Sequence, residues 1–288
     1  MSDYSVISFP SLGIELDPSR TLNIGPLSIN MYGLIIAFGL LMAVLYACRR
    51  SKQFGLKNDD LMDGVLFIVP FAIICARLYY CIFQWDSYQD NPVEILYIWK
   101  GGLAIYGGVI GAALGIIVFS KVKKVHIGAV LDITALGFLI GQSIGRWGNF
   151  FNREAFGAET ESFLRMGLQN ARTGQVTYVH PTFLYESLWN AAGFVLIHFL
   201  SKRRKYDGQV ALLYVAWYGL GRTFIEGLRQ DSLYWGQLRV SQILAAVSCF
   251  AAVAALMAFG FFFQPDPAKM QVNKVEAAAE EPKEETAE

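Results

Sequence analysis

Seven long apolar runs limit the folds that are open to this chain. A bilayer core is crossed by about 20 mostly apolar residues in helical form, and seven windows of the sequence come close to that requirement. We therefore predict an all-α integral membrane protein with seven transmembrane helices, forming one membrane domain over residues 1–263. The predicted spans cover roughly residues 28–48, 61–83, 102–120, 127–145, 182–200, 209–228 and 240–263.

The composition agrees with a membrane location and narrows the possible partners. Charged residues make up 17% of the chain, whereas a soluble domain usually carries about 25%. The formal net charge is zero, so the charge balance gives no support for a nucleic acid partner. The cysteines lie in or beside apolar runs, without a CxxC pair or a histidine at metal-binding spacing, and we expect free thiols packed among apolar side chains. They are Cys48, Cys75, Cys81 and Cys249.

Clusters of basic residues predict the orientation in the membrane. "CRRSK", "SKVKK" and "SKRRK" follow the first, third and fifth spans, so all three lie on one side if the spans alternate. The positive-inside rule makes that side cytoplasmic, which places the N-terminus outside and the C-terminus inside. The acidic segment 264–288 is then predicted to be a disordered cytoplasmic tail. The alternative, a short helix through "KVEAAAEEPK", would be interrupted at Pro282.

The same topology places three connecting segments on the outer side, at 84–101, 146–181 and 229–239. The middle segment has about 36 residues, well beyond the usual length of a connection. It contains aromatic and apolar residues, so we expect an ordered and functional segment.

Several ionisable residues lie within the spans or at their outer ends. A charge costs several kcal/mol at the bilayer centre and less near the interface, which makes each of them a candidate functional group. The residues are Arg77 in the second span, Arg146 and Glu154 around the end of the fourth, and Arg222, Glu226 and Arg229 at i, i+4, i+7 spacing on one face of the sixth.

Two explanations apply to these charges. Snorkelling toward the headgroups accounts for a single arginine at a helix end. It explains this set less well, because the arginines are accompanied by carboxylate and amide side chains at the same predicted depth in the membrane. Because guanidinium groups bind phosphate in a forked, bidentate way, the pattern predicts a polar cavity, open to the outer leaflet, for a phosphate-bearing lipid headgroup. Glu154, Glu186 and Glu226 would orient the arginines or accept hydrogen bonds from substrate hydroxyls, or act only as buried partners of the arginines.

The stretch "GRWGNFFNREAFG" at 145–157 resembles the signature of bacterial phosphatidylglycerol–prolipoprotein diacylglyceryl transferases, Gly-Arg-x-Gly-Asn-Phe-x-Asn-x-Glu-x-x-Gly. Further segments are similar to motifs of that family: "MYGL" at 31–34, "GGLAIYGGVIG" at 101–111, "HPTFLYE" at 180–186 and "GRTFIEGLRQD" at 221–231. The resemblance implies a seven-span enzyme of the bacterial cytoplasmic membrane with its active site toward the outer leaflet. It also implies transfer of the diacylglyceryl group of phosphatidylglycerol to the lipobox cysteine of a prolipoprotein signal peptide, with release of glycerol phosphate and without a metal or cofactor.

The resemblance carries specific residues over to this sequence. We expect Arg146 and Arg222 to bind the phosphate, with Asn149 donating a further hydrogen bond and Glu226 orienting Arg222. The other residues carried over are Tyr32, Glu154 and Gly157, and we add Arg77, Glu186 and Arg229 as substrate-binding residues.

The general base is left open at this point. The family often has a histidine where this chain has Tyr106, and a tyrosine with a pKa near 10 is a poor base at neutral pH. We expect Tyr106 to hydrogen-bond the phosphate or headgroup. His180 is either the base or a packing residue before Pro181, and Arg153 is expected only to face water.

Two other functions fit the sequence less well. A transporter of anionic solutes would use intramembrane arginines, but it predicts inverted repeats and polar residues on both sides of the midplane, whereas the polar set lies on one side. Lipid phosphoryl transfer would normally need an acidic cluster for magnesium, and aspartates such as Asp63 and Asp132 are scattered.

Overall fold

A computed structural model of the chain describes residues 4–25, 27–230, 234–235 and 238–280. Within these residues, seven helices have 18 or more residues and one is shorter. The helices are α1 Met31–Arg50, α2 Asn58–Phe83, α3 Ile105–Lys123, α4 Ile127–Asn152, α5 Thr182–Ser201, α6 Gln209–Glu226, α7 Val240–Ala258 and α8 Gln271–Glu280.

Six of the described helices are long and apolar enough to cross a membrane, and α6 is the long helix that falls short. It has 18 residues, begins with Gln209 and carries Arg222 and Glu226 near its end, so its mean hydropathy is low for a span. The chain is thus a mostly helical, multi-pass membrane protein. The prediction of seven spans stays a prediction. The four cysteines are free, as predicted.

Strands make the fold differ from the all-α prediction. The described strands are β1 Tyr4–Phe9, β2 Ile14–Leu16, β3 Thr21–Ile24, β4 Leu27–Asn30, β5 Met166–Asn170, β6 Val176–Val179, β7 Tyr234–Trp235 and β8 Leu238–Arg239. Four of them form an antiparallel sheet in the order β2-β1-β5-β6, and β3-β4 and β7-β8 form two hairpins.

The sheet joins the N-terminal residues to the connection between α4 and α5. Ile7 of β1 is the partner of Leu168 in β5, and Gly167 pairs with Tyr178 in β6. Ile7 and Leu168 are fully buried in a core that also contains Phe150 of α4. The long connection is thus ordered, because its apolar side chains have a partner strand far away in the sequence.

The chain divides into two compact units, which are described separately. The first comprises the described parts of residues 1–46, 134–204 and 209–265. The second comprises the described parts of 47–133, 205–208 and 266–288.

In the second unit, glycines allow α2 and α3 to pack closely. Gly107 and Gly111 are buried one turn apart on α3. A Cβ at Gly107 would overlap Tyr79 and the backbone of Cys75, and one at Gly111 would overlap the Cys75 side chain. Small residues of this spacing let helices approach in lipid, where packing rather than the hydrophobic effect holds them together.

The prediction of a disordered tail is wrong for its described part, and residues 281–288 lie outside the described residues. Gln271, at the start of α8, donates its backbone N–H to Asp207 Oδ2 at 2.7 Å, and its Oε1 accepts the backbone N–H of His126 at 3.0 Å. Gly55, at φ +69°, lies so close that a Cβ there would be 2.6 Å from the backbone of Gln271 and Val272. Composition alone predicted disorder, but a few anchoring contacts hold a segment of good helix formers in place.

Candidate functional site

The end of α4 carries the first part of the site. The helix continues to Asn152, seven residues beyond the predicted span, so Arg146 and Asn149 lie on one helix face rather than in a loop. Arg146 Nη1 donates to Asn149 Oδ1 at 3.3 Å, and Asn149 Nδ2 donates to Glu154 Oε1 at 3.1 Å. Left-handed backbone at Arg153 (φ 53°) and Ala155 then turns the chain back, which lets the Glu154 N–H reach the carbonyl of Asn149.

Glu186 in the first turns of α5 is the centre of the site. Its Oε2 pairs with Arg146 Nη2 at 2.5 Å. Its Oε1 accepts from Arg222 Nη1 at 2.9 Å and lies 3.5 Å from Arg229 Nη1. One carboxylate therefore joins Arg146 near the end of α4 to Arg222 in α6 and to Arg229 just after that helix. We call Arg146, Arg222, Arg229, Glu186 and Glu226 the arginine cluster.

Glu226 holds Arg222 from a second direction. Arg222 Nη2 lies 2.6 Å from Glu226 Oε2, one helical turn on. The backbone carbonyl of Glu226 accepts a hydrogen bond from Arg239 Nη1. Arg222 is therefore fixed by two carboxylates, one on its own helix and one on α5, which leaves it little freedom of orientation.

Burial in the arginine cluster is uneven. The side chains of Glu186 and Glu226 are 4% and 2% exposed, whereas those of Arg146 and Arg222 are 23% and 18% exposed. The carboxylates are thus more deeply buried than the two arginines, and part of each of these arginine side chains stays accessible. An arrangement of this kind presents fixed, charged N–H donors to an incoming anion.

Gly157 and His180 build the backbone beside the cluster. Gly157 donates its N–H to the His180 carbonyl at 2.9 Å, and Ala158 donates to the Leu228 carbonyl at 2.7 Å. A Cβ at Gly157 would lie 2.7 Å from His180 Cβ and 2.8 Å from the Leu228 carbonyl oxygen, so the position requires glycine. The His180 ring bonds the Tyr185 hydroxyl at 3.3 Å. These contacts support the packing role for His180.

Tyr32 of α1 lies against α4. A Cβ on Gly148 would be 2.7 Å from Cδ2 of the Tyr32 ring, so the ring rests on the backbone between Arg146 and Asn149. The glycine of the signature stretch is needed for this approach. Tyr32 therefore belongs to the same end of the first unit as the arginine cluster.

Arg153 does not face water, so that prediction is wrong. Its side chain is 3% exposed. It donates to the carbonyls of Ser5, Phe151 and Pro18 and pairs with Asp17 at 2.7 Å. Burial lowers the pKa of the Arg153 guanidinium. Its partners are up to 148 residues away in the sequence, and no local signal could have identified them.

Arg77 and Tyr106 belong to the second unit. Arg77 is buried and donates to the backbone carbonyls of Glu94, Ile95, Gly101 and Gly102 at 2.6–2.9 Å. Four of its five N–H groups are thereby used, so we revise its expected role from binding substrate to shaping the segment before α3. Tyr106 lies in the first turn of α3 and is 45% exposed, and its headgroup contact stays a prediction.

Sequence reasoning missed a small cavity between α5 and α6. Its walls include Glu186, Asn190, Tyr218 and Arg222. The side-chain oxygen of Asn190 is buried there without a hydrogen-bond partner among the described residues. The signal that was overlooked is the placement of Asn190 one turn after Glu186 on the same helix face.

The comparisons with known proteins cover most of the chain. A family model described as prolipoprotein diacylglyceryl transferase matches residues 19–258. A phosphatidylglycerol–prolipoprotein diacylglyceryl transferase of Bacillus velezensis is 47% identical over 252 residues, which are 85% of this chain and 93% of that protein. Proteins of the same name from Bacillus licheniformis and Listeria welshimeri are 46% and 43% identical, covering 83% and 84% of this chain and 91% and 89% of their own. The matched range contains the whole arginine cluster.

Proposed function

We propose that this chain, which belongs to the prolipoprotein diacylglyceryl transferase family, transfers the diacylglyceryl group of phosphatidylglycerol to the lipobox cysteine thiol of a prolipoprotein. The thiol gives its proton to solvent, its sulfur forms a bond to the glyceryl carbon, and the bond from that carbon to the phosphate oxygen breaks. Glycerol phosphate leaves with the bonding electron pair. The names of the relatives support the two substrates, and family membership favours this function over the transport of an anionic solute.

The observation that carries the proposal is the layered arginine cluster. The buried carboxylate of Glu186 pairs with both arginines, with Oε2 2.5 Å from Arg146 Nη2 and Oε1 2.9 Å from Arg222 Nη1. Their N–H groups bind the phosphate of the lipid and stabilise the negative charge that develops on it as the C–O bond breaks. Since the guanidinium groups are already oriented by Glu186, little reorganisation is needed during the reaction.

Asn149 and Glu154 extend the cluster on one side. The amide of Asn149 links Arg146 to Glu154. In this role Asn149 keeps Arg146 in line with the phosphate and contributes a polar contact of its own, and Glu154, which is exposed, accepts a hydrogen bond from a headgroup hydroxyl. Tyr32 and Gly157 complete the wall around the headgroup.

The cluster also activates the nucleophile. A free cysteine thiol has a pKa of about 8.5, and nearby positive charge lowers it. Arginines beside the lipobox cysteine therefore favour the thiolate. We give this electrostatic effect the main role and give His180 a packing role, because its backbone pairs with Gly157 and its ring bonds Tyr185.

We place the protein in the bacterial cytoplasmic membrane with the cluster toward the outer leaflet and the tail in the cytoplasm. In the second unit, Gln271 of the tail bonds Asp207 and His126. Each of these two lies within a few residues of a basic cluster expected to be cytoplasmic. In a cysteine-free variant, Ala171→Cys on the exposed β5–β6 turn should react with an impermeant maleimide outside intact cells, and Ala278→Cys should react only after lysis. The reverse pattern would overturn this orientation.

The activity is tested with purified protein in lipid vesicles. Phosphatidylglycerol vesicles and a lipobox peptide are supplied together, and both glycerol phosphate and the peptide mass are measured. We expect glycerol phosphate release with a matching mass gain of one diacylglyceryl group on the cysteine. A peptide with serine in place of that cysteine serves as the control and should gain no mass.

Two results would contradict the proposal. One is the absence of both products with the intact peptide. The other is equal modification in vesicles that contain only phosphatidylethanolamine, because that would remove phosphatidylglycerol as the donor.

A further inference from the structure

The helices that carry the arginine cluster share a repeated pattern. α5 contains "WNAAG" at 189–193 and α6 contains "WYGLG" at 217–221, so each helix has a tryptophan followed by a glycine four residues later. Residues at this spacing lie on one helix face, one turn apart. Both helices belong to the first unit, and the two patterns face each other.

The two tryptophans contact each other reciprocally. Their rings are stacked, with centroids 4.4 Å apart and an interplanar angle of 20°. Trp189 Nε1 donates to the Trp217 carbonyl at 3.0 Å, and Trp217 Nε1 donates to the Trp189 carbonyl at 2.9 Å. Each indole N–H, which would be costly to leave unpaired in an apolar setting, is satisfied by the other helix.

The two glycines make this contact possible. A Cβ at Gly221 would overlap the indole of Trp189, and a Cβ at Gly193 would overlap the indole of Trp217 at the same ring atoms. We call these four residues the tryptophan clasp. Since Trp189 lies over Gly221 and Trp217 lies over Gly193, the helices run antiparallel and have only one register that satisfies both contacts.

One half of the clasp adjoins the arginine cluster. Gly221 directly precedes Arg222, and Trp189 lies one turn after Glu186 on α5. Trp189, Gly221, Glu186 and Arg222 all line the same small cavity. The contact of Trp189 with Gly221 thus sets the separation of the helices where the 2.9 Å pair of Glu186 and Arg222 forms.

We propose that the tryptophan clasp positions Arg222 against Glu186 for catalysis, with Trp189 and Gly221 as the positioning residues. The proposal rests on the proposed function. A shift of one helical turn between α5 and α6 would move Arg222 by about 5.4 Å and separate it from Glu186. Smaller displacements at the clasp move the guanidinium relative to the phosphate, and a misplacement of about 1 Å can lower a rate about 100-fold.

The two halves of the clasp provide a matched pair of variants. Gly221→Ala and Gly193→Ala create the same steric overlap with an indole, but only the first lies beside Arg222. We expect Gly221→Ala to lower kcat/KM for phosphatidylglycerol about 10- to 100-fold. The fold decrease for Gly193→Ala should be at most about one-third of the fold decrease for Gly221→Ala. The two variants should have similar Tm. Gly141→Ala on α4, where a Cβ would meet open space, is the control and should stay within about 2-fold of the unchanged protein.

A second substitution that relieves the overlap distinguishes a positioning role of the clasp from a general loss of packing. Trp189→Phe shortens the ring that overlaps the new Cβ, so the double variant Trp189→Phe with Gly221→Ala should recover kcat/KM from the level of Gly221→Ala up to that of Trp189→Phe alone. If Gly221→Ala does not fold, Trp189→Phe and Trp217→Phe are compared alone. Each loses one interhelical hydrogen bond, and the loss of kcat/KM should be larger for Trp189→Phe.

Each outcome has one meaning. Two results would overturn the positioning role, provided that the unchanged protein and Gly141→Ala remain active. One is an equal loss of kcat/KM in Gly221→Ala and Gly193→Ala at equal Tm. The other is no recovery of kcat/KM in the double variant. If the unchanged protein releases no glycerol phosphate, the proposed function fails instead. The positioning role of the clasp is then tested by measuring the affinity for glycerol phosphate. Gly221→Ala should weaken this affinity more than Gly193→Ala does. Equal affinities of the two variants would overturn the positioning role.

Discussion

Arg77 in the second unit and Arg222 in the first are both arginines in mostly apolar helices, yet their surroundings differ. Arg77 gives four N–H groups to backbone carbonyls of the segment 94–102. Arg222 is held by two carboxylates and keeps part of its side chain accessible. An arginine whose N–H groups are taken up by backbone carbonyls shapes a loop, whereas we propose that one oriented by buried carboxylates presents its charge to a ligand.

The difference shows what an intramembrane charge in a sequence means. Its cost makes it a candidate for function, but backbone partners can offset that cost as well as side-chain partners can offset it. The type of partner, rather than the presence of the charge, separates a structural arginine from a binding one. Variants of the two arginines can therefore test the comparison directly.

The largest effect is expected for Arg222→Lys. Lysine keeps the charge but cannot contact Glu186 and Glu226 in the forked geometry of a guanidinium. We expect kcat to fall about 100- to 1000-fold with little change in Tm, measured by glycerol phosphate release. Arg172→Lys on the exposed turn between β5 and β6 is the control. Near-normal kcat in Arg222→Lys would remove the distinction between the two arginines.

Arg77→Lys should lower stability and leave substrate binding nearly unchanged, the opposite of Arg222→Lys. A lysine has three donors and cannot reach the four carbonyls, so the free energy of unfolding should fall by about 3 kcal/mol. The KM for phosphatidylglycerol in the folded fraction should stay within about 2-fold, because we propose that the residue shapes a loop rather than binding the lipid. Denaturation in detergent micelles and kinetics on the folded fraction measure the two quantities. A raised KM at unchanged stability would return Arg77 to the binding site.

Arg153→Lys tests the same principle outside the helices. Arg153 contacts Ser5, Asp17 and Pro18, and lysine can keep only part of this set. The free energy of unfolding should fall by about 2 kcal/mol, with kcat nearly unchanged. Asp17→Asn is the milder companion, since it removes the charge of one partner only. A loss of kcat without a loss of stability would show that the sheet acts on the chemistry.

The smallest effect is expected for His180→Asn. An essential general base contributes about 100- to 10,000-fold to a rate, whereas a packing residue contributes little. We expect kcat to fall less than about 5-fold, because the ring of His180 bonds Tyr185 and its backbone pairing does not need the imidazole. The pH profile of kcat is the companion measurement. A loss beyond 100-fold with a flattened profile would make His180 the base.

Much of the fold could be predicted because helices across a membrane are determined locally. The seven windows correspond to α1–α7, and the arginine, asparagine and glutamate of the signature stretch do lie together at the end of α4. The sheet could not be predicted, because β1 finds its partner β5 only across some 160 residues. The order of the tail was missed for the same reason, since it depends on Asp207 and His126.

By itself the sequence determined the apolar helices and the residue types that can bind a phosphate, and it predicted the side on which the basic clusters lie. Each of these follows from short-range pattern, because hydrogen bonds within a helix and transfer into lipid depend on neighbouring residues. Only the tertiary structure decided that Glu186 joins Arg146 to Arg222, that Arg77 and Arg153 serve the fold, and that two tryptophans and two glycines set the register of α5 and α6. Ion pairs and close packing depend on distances of a few ångström between residues that are distant in the chain, and no local pattern specifies those distances.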